Sequence, residues 1–361
     1  MRDPFPFKSP QYLQDLTTPF ARYTGLTTLP LHVHEIIFSI LLYTFIGVSL
    51  SPWLSTRLCP RTYPNLDRRT KVNWDVHVVS LFQSVFICAL ALFAIVGDPD
   101  RAVMGWQERL WGYTGFYGFM TAMACGYFIW DLFVSAYYVH IFGWGMLAHA
   151  VSATAVFSLG FRPFVNYYAA VFLLYELSSP FNNFHWFLDK LHLTGSTYQW
   201  INGIVLIFTF FSCRLVYGIF NSCVVFYDMF VALRSGSVTT DLSQYPDVVA
   251  QRLLGVVADE KDFFRFTAGR PLPLWLAVSY LTSNVILNSL NVYWMGKMIE
   301  TIRSRFDPPW GTKGTGKGKR EPKHQIDGVK KEEPTISRSG ESDGKKVFEV
   351  EGKEVRNRRR G

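Results

Sequence analysis

The sequence predicts an all-α membrane protein, a polytopic bundle of about seven transmembrane helices. Three observations carry that reading. The composition is 49% apolar and 17% aromatic, with 31 Phe and 11 Trp. The apolar residues gather in runs close to the ~20 residues that a helix needs to cross a bilayer. The runs fall at about 36–54, 76–96, 113–136, 144–160, 164–181, 201–225 and 273–299, with boundaries good to a few residues. Finally, the charges between the runs follow the positive-inside pattern. The 55–75 loop carries Arg57, Arg61, Arg68, Arg69 and Lys71, which marks it as cytosolic. Seven spans alternating from that loop place the N-terminus outside, on the luminal side, and the C-terminus in the cytosol.

Residues 1–35 form the luminal N-terminal segment, a polar, aromatic and proline-containing head without a basic n-region and cleavage site. The first span is therefore expected to act as the insertion signal and to stay in the protein. His32 and His34 alternate ahead of it. Such a pair binds a metal only with further ligands, so the expectation is a pair of interfacial histidines. Residues 36–69 hold the first span and the basic loop, and residues 70–300 hold the remaining spans. Within the latter, the 231–272 loop has five basic and five acidic residues and is amphipathic in parts. It is expected on the luminal side, lying on the surface or capping the bundle. The 301–361 tail carries 17 Lys/Arg against 10 Asp/Glu, so seven of the eight net positive charges sit there and not on a nucleic-acid-binding fold. Its low apolar content cannot offset ordering entropy, and a disordered cytosolic tail is expected. The tail serves either as a solvated anchor or as a contact for anionic lipid headgroups.

Of the five cysteines, Cys88, Cys125, Cys213 and Cys223 sit in apolar runs, where thiols behave as small hydrophobes. No structural disulfide is expected. Cys59, just beyond the first span, is a candidate for a reversible palmitate.

The most informative stretch is Tyr175–His192, YELSSPFNNFHWFLDKLH. A lipid-facing helix has no use for Glu176, Ser178, Ser179, Asn182 and Asn183 in such close order, because each polar group in hydrocarbon needs a partner. On a continuous helix Ser179, Pro180 and Asn183 fall three, four and seven residues after Glu176, on one face. Pro180 cannot donate to the carbonyl of Glu176. Two readings follow, a proline-bent helix end patched by local hydrogen bonds or a polar floor to a lipid pocket.

Other polar groups fall inside the spans. They are Asp75 and His77 at the start of the second, Asp131 in the third, His149 in the fourth and Arg214 in the sixth. Asp131, His149 and Glu176 each lie about five residues from the expected cytosolic boundary, roughly 8 Å in at 1.5 Å per residue. His77 is shallower and Arg214 deeper. The shared depth points to one cavity opening toward the cytosolic leaflet, lined by Asp131, His149, Glu176, Ser179, Asn183, Arg214 and His77, with Trp74 and Trp186 as interface anchors. A purely structural network, Asp131 with His149 or Glu176 with Arg214, is the alternative. His149, Asp131 and Glu176 are the candidate catalytic residues should the cavity act as general acid and base on a lipid. No local ligand motif supports a metal. There is no GxSxG, HExxH, phosphate-cradling glycine loop or dinucleotide fingerprint.

Four pieces of the chain resemble the TLC-domain family of multispanning endoplasmic-reticulum proteins, over about residues 70–300. They are Lys71-x-x-Trp74 leading to Ser80, Tyr127-Phe128-x-x-Asp131, His149, and Glu176-Leu-Ser178-Ser-Pro180-Phe181-x-Asn183-x-x-Trp186. The last is similar to a signature of the smaller TLC-domain-containing proteins, and Arg214 fits the family pattern too. The ceramide synthases of that family differ. They carry a His-His pair where this chain reads His149-Ala150, and two aspartates where it has only Glu176. They also have an arginine where it has His77 and a histidine where it has Gln83.

The resemblance therefore implies the membrane fold, an endoplasmic-reticulum location and a role in lipid, including sphingolipid, homeostasis through lipid binding or sensing. Enzymatic activity stays open. The alternative is a lipid acyltransferase using His149 as base, which would bring in acyl-CoA; otherwise no cofactor is expected. The expected partners are membrane lipids, without nucleic acid, and a homodimer is left open. A seven-span receptor or transporter fits less well, because LNSLNVYWMGKMI in the last span lacks an Asn-Pro switch and no pair of broken helices repeats.

Overall fold

In the computed structural model, helices occupy all seven stretches that the hydropathy marks. The structure describes residues 2–235, 266, 272–305, 349–350 and 353–354. Most of the 231–272 loop and most of the 301–361 tail, with the expectations placed on them, lie outside the described residues. The chain divides into two units, Met1–Thr315 and Gly316–Gly361. In the second, Glu349–Val350 pairs antiparallel with Lys353–Glu354.

The N-terminal head is more structured than a polar leader. Helix α1, Gln11–Thr24, closes on Gly25, whose φ of 77° suits a residue without a Cβ. Ahead of it, Phe5 packs edge-on against Phe7, His34 and Phe38. Helix α2, Leu29–Leu58, begins seven residues before the expected start at 36 and runs through a π-turn at Ile46–Leu50. The early start has a local cause. Pro30 stands in the first turn, where its missing N–H costs nothing, and the buried His32 and Glu35 bond each other at 2.8 Å.

Helix α3, Arg68–Gly97, starts on Asp67, which accepts from the backbone N–H of Arg69 and Thr70 at 3.1 and 3.3 Å. Bonds from Thr70 and the neighbouring backbone hold the Asp67 carboxyl below its usual pKa. The short α4, Trp106–Trp111, leads to α5, Gly115–Tyr137, in which residues 116–128 are all buried. This helix is the axis of the bundle and packs most extensively on α2 and on α6, Trp144–Leu159. Close approach to α2 requires Gly126, where a Cβ would lie 2.4 Å from that of Ser39.

The fifth stretch is not one helix. Helix α7, Asn166–Leu173, gives way to a 3₁₀ segment, Leu174–Ser178, and then to α8, Ser179–Lys190. Helix α9, Thr197–Arg234, contains a second π-turn at Phe211–Tyr217. Helix α10, Leu274–Arg305, is 32 residues long and passes the expected tail boundary at 301.

Helices α2, α3, α5 and α9 are each long and apolar enough to cross a membrane by length and composition alone. The other expected spans are short, broken or carry a polar stripe. One apolar core surrounds Tyr43, Ile87, Met120, Phe161 and Leu173, and a second surrounds Leu110, Phe164, Tyr168, Met229 and Tyr280. Outside the cores, Phe82, Leu92 and Phe93 of α3 and Phe208, Phe220 and Phe230 of α9 are exposed, as lipid-facing side chains are. All five cysteines are free.

Candidate functional site

The helix break between α7 and α8 organises the site. Pro180 leaves the Glu176 carbonyl without its α-helical donor, and the tighter 3₁₀ turn supplies another, because the N–H of Ser179 donates to that carbonyl. The break changes which residues share a face. Ser179 stays with Glu176, its hydroxyl donating to the carboxylate at 2.7 Å. Asn183 turns away toward α3, contrary to the single face that a continuous helix would give.

Arg214 enters from the π-turn of α9, a local widening that re-aims side chains at this point of the helix. It is buried and its donors are used on several sides. Nε donates to the Tyr175 carbonyl at 2.8 Å and to Ser178 Oγ at 3.1 Å. Nη1 donates to Asn291 Oδ1 at 3.0 Å, and Nη2 to Ser179 Oγ at 3.3 Å. Nη2 also lies 3.6 Å from a Glu176 oxygen. A planar fork suits this task, because one guanidinium spans four acceptor groups and a carboxylate. The Glu176–Arg214 pair that the sequence left as an alternative is thus present, inside a larger network.

Beside that network lies a narrow cavity of about 50 Å³, well above the roughly 10–15 Å³ that one water needs on this measure. Its walls are mostly apolar, with Phe128, Phe157, Phe164, Phe172 and Leu287 among them. Its polar lining includes Thr121, His149, Asn166, Glu176, Asn284 and Asn291. Four buried atoms on that lining, Thr121 Oγ1, His149 Nδ1, Asn166 Oδ1 and Asn291 Nδ2, have no hydrogen-bond partner among the described residues. Each such atom costs about 1–3 kcal/mol when left unpaired. The cavity floor holds a second cost. Val165, a β-branched residue, takes φ 55°, fixed by its N–H bonding the Leu110 carbonyl at 2.7 Å.

The expected site residues divide into groups. His149, Glu176, Ser179 and Arg214 come together, with His149 in range of the charges of Glu176 and Arg214. Asp131 is buried near Glu176 but does not line the cavity; Ser135 Oγ lies 3.4 Å from it, one helical turn on. Shared depth is fixed by the helical rise, whereas the direction of a side chain is fixed by the rotation of its helix. Asp131 therefore faces a different bearing from the cavity.

His77 and Asn183 form a separate cluster at the start of α3. Their side chains meet at 2.7 Å, Asn183 Nδ2 donates to Ser80 Oγ at 3.1 Å, and His77 stacks on Trp186 at 4.3 Å. Trp74, expected as an interface anchor, is buried against Phe187 and Trp186. Its Nε1 donates to Ser55 Oγ at 2.8 Å, which gives its polar end a protein partner instead of the interface.

Sequence reasoning missed the contribution of α10. Asn284, Asn288 and Asn291 lie four and three residues apart, one face of a helix. Asn288 accepts from Tyr175 OH at 3.0 Å and donates to Ser222 and Asn284 at 3.0 and 2.8 Å. That spacing of amides in an apolar span was the available signal. The Arg109–Asp228 pair was also missed. Arg109 holds the fully buried Asp228 with two bonds of 2.8 and 2.7 Å, and Tyr168 OH donates to the same carboxylate.

Fold and site together define a multispanning helical membrane protein with a buried arginine–carboxylate centre beside a narrow amphiphilic cavity. Comparison with known proteins makes this more specific. A family model for the TLC domain matches residues 73–300. A TLC domain-containing protein of Schizosaccharomyces pombe is 35% identical over 298 residues, 82% of this chain and 88% of that protein. Topoisomerase I damage affected protein 4 of Saccharomyces cerevisiae is 27% identical over 303 residues, 81% of this chain and 94% of that protein. TLC domain-containing protein 4 of Homo sapiens is 29% identical over 169 residues, 46% of this chain and 62% of that protein. The chain belongs to the TLC-domain family of membrane proteins, on the side of the TLC domain-containing proteins and not of the ceramide synthases.

Proposed function

We propose that this protein binds a membrane lipid through the cavity beside Arg214 and thereby contributes to membrane lipid homeostasis, as a seven-span protein of the endoplasmic reticulum with a luminal N-terminus. The observation that carries the reading is the set of unpaired buried atoms on Thr121, His149, Asn166 and Asn291, all on one cavity whose remaining walls are apolar and aromatic. An amphiphile matches both surfaces. A hydroxyl or amide would engage the polar end, and the first carbons of a chain would lie among Phe128, Phe157 and Phe172. The Arg214–Glu176 network rigidifies that end, since Nε, Nη1 and Nη2 each already have a protein acceptor. The small volume suits one headgroup function and not a large glycan or phosphate cluster.

The test is the lipid that co-purifies in mild detergent. Wild type is expected to retain one lipid class above the background of the starting membrane. His149→Ala and the near-isosteric Thr121→Val are expected to lose most of it while remaining folded and monodisperse, at a somewhat lower melting temperature because the bound lipid no longer stabilises the native state. Lipid content that mirrors the bulk membrane in all three samples would remove the cavity from the account. One observation favours a second reading: His149, with an unpaired Nδ1 among the described residues, lines the same cavity as Glu176, and a general base needs a free ring nitrogen within reach of the substrate. Acyl transfer from a long-chain acyl-CoA to a sphingoid or lysolipid acceptor by the purified protein, abolished in His149→Ala, would establish that reading.

A further inference from the structure

We infer that Asp3, His32 and Glu35 form a binding site for a divalent transition-metal ion that fastens the N-terminal segment to the bundle. The site is distinct from the cavity beside Arg214 and independent of its function. His32 and His34 lacked further ligands in the sequence; the fold supplies them. One ligand atom each from Asp3, His32 and Glu35 lies within 4.8 Å of the others. His32 Nδ1 is 2.8 Å from Glu35 Oε2 and 3.7 Å from Asp3 Oδ2. One imidazole with two carboxylates is a donor set for Zn²⁺, Mn²⁺ or Fe²⁺, and the distances need only a small relaxation to surround an ion.

Three further features point to an ion and not to a simple hydrogen-bonded cluster. Glu35 is fully buried, and its second oxygen, Oε1, has no hydrogen-bond partner among the described residues. That oxygen is 3.7 Å from His34 Nε2, which is already 3.0 Å from the Phe7 carbonyl. Two carboxylates meeting where one is excluded from water repel each other unless a cation or proton intervenes. A dication with neutral imidazole balances both charges.

The second feature is the outer support. His32 Nε2 lies 2.7 Å from Tyr113 OH. With Nδ1 on a metal, Nε2–H donates to that oxygen, the arrangement that fixes a ligand imidazole. The third is a cradle on α5. A Cβ on Gly115 would lie 2.4 Å from the Asp3 backbone nitrogen, and one on Gly118 would lie 2.2 Å from His32 Nε2. Glycines at those places let both ligands close onto the helix. Asp3, with its side chain 34% exposed, leaves an open flank for solvent in a fourth position.

The experiment uses the full chain, carried on a tag that binds no metal and purified in mild detergent without chelator. Elemental analysis is expected to give about one equivalent of a divalent transition metal per chain, before or after loading with Zn²⁺ and gel filtration. Replacement by Co²⁺ is expected to give a visible d–d band, and chelation to lower the melting temperature. Glu35→Gln, which keeps size and one acceptor, should lose the metal and the band. Tyr113→Phe should weaken Zn²⁺ affinity by roughly 10–100-fold. Wild type without metal after Zn²⁺ loading would overturn the inference and leave a protonated Glu35 as the resolution of the charge. Equal binding by wild type and Glu35→Gln would overturn it as well. If Glu35→Gln does not yield a monodisperse protein, the stoichiometry and Co²⁺ spectrum of wild type decide the matter, compared with His34→Ala, which lies outside the ligand set and should retain both.

Discussion

Replacing Arg214 by lysine keeps the positive charge and removes the fork. The arginine reaches the Tyr175 carbonyl, Ser178, Asn291 and Ser179 at 2.8, 3.1, 3.0 and 3.3 Å, in directions that diverge around one plane. A lysine ammonium is a point donor on a flexible stem and can serve one side of that ring. Seated near Glu176 and Ser179, it abandons Asn291 and the Nε–H bond that the Tyr175 carbonyl and Ser178 share. Two lost bonds to a charged donor, at about 1.5–3 kcal/mol each, amount to roughly 3–6 kcal/mol. At about 2 °C per kcal/mol, the lower end of the range for large domains, the melting temperature falls by roughly 6–12 °C. Thermal unfolding of the detergent-purified protein, followed by tryptophan fluorescence or by retention of the monodisperse peak, measures it. Glu176→Gln should be milder, about 1–2 kcal/mol, because Ser179 keeps its acceptor and Arg214 keeps its other partners. Arg214→Lys melting within about 2 °C of wild type, or Glu176→Gln proving the more damaging, would refute the view that the arginine's geometry and not its charge holds this centre.

Two other perturbations test the frame around the site. Arg109→Met strands the fully buried Asp228 with Tyr168 as its one remaining side-chain donor among the described residues and should cost about 3–5 kcal/mol. Asp228→Asn leaves Arg109, whose side chain is 25% exposed and can turn to water, so the loss should be smaller; a thermal-unfolding cycle that includes the double variant should show strong coupling. Gly118→Ala drives a Cβ into the His32 ring and should destabilise by about 1–3 kcal/mol, whereas Gly145→Ala, with nothing within 4 Å, should be neutral or slightly stabilising in the same melting assay.

Much of the fold was legible because hydropathy and helical rise act along the chain. The long apolar runs marked α2, α3, α5 and α9. The stretch from Glu176 to Trp186 announced a polar centre because so many hydrogen-bonding groups have no other use in hydrocarbon. Which groups would meet was not legible. The 3₁₀ turn before Pro180 and the π-turn around Arg214 alter the helical phase that the spacing argument assumed. The N-terminal head read as polar, since its burial depends on glycines of α5 more than eighty residues away in sequence.

The amino-acid order thus determined the membrane class, the long apolar helices and the family signature, because each is a property of a segment read along the chain. Tertiary structure decided that His149 shares a cavity with Glu176 while Asp131 turns to Ser135, that Asn291 completes the arginine's shell, and that His32 finds two carboxylates. Those choices depend on how each helix is rotated against its neighbours, and that rotation is set by packing summed over several helices at once.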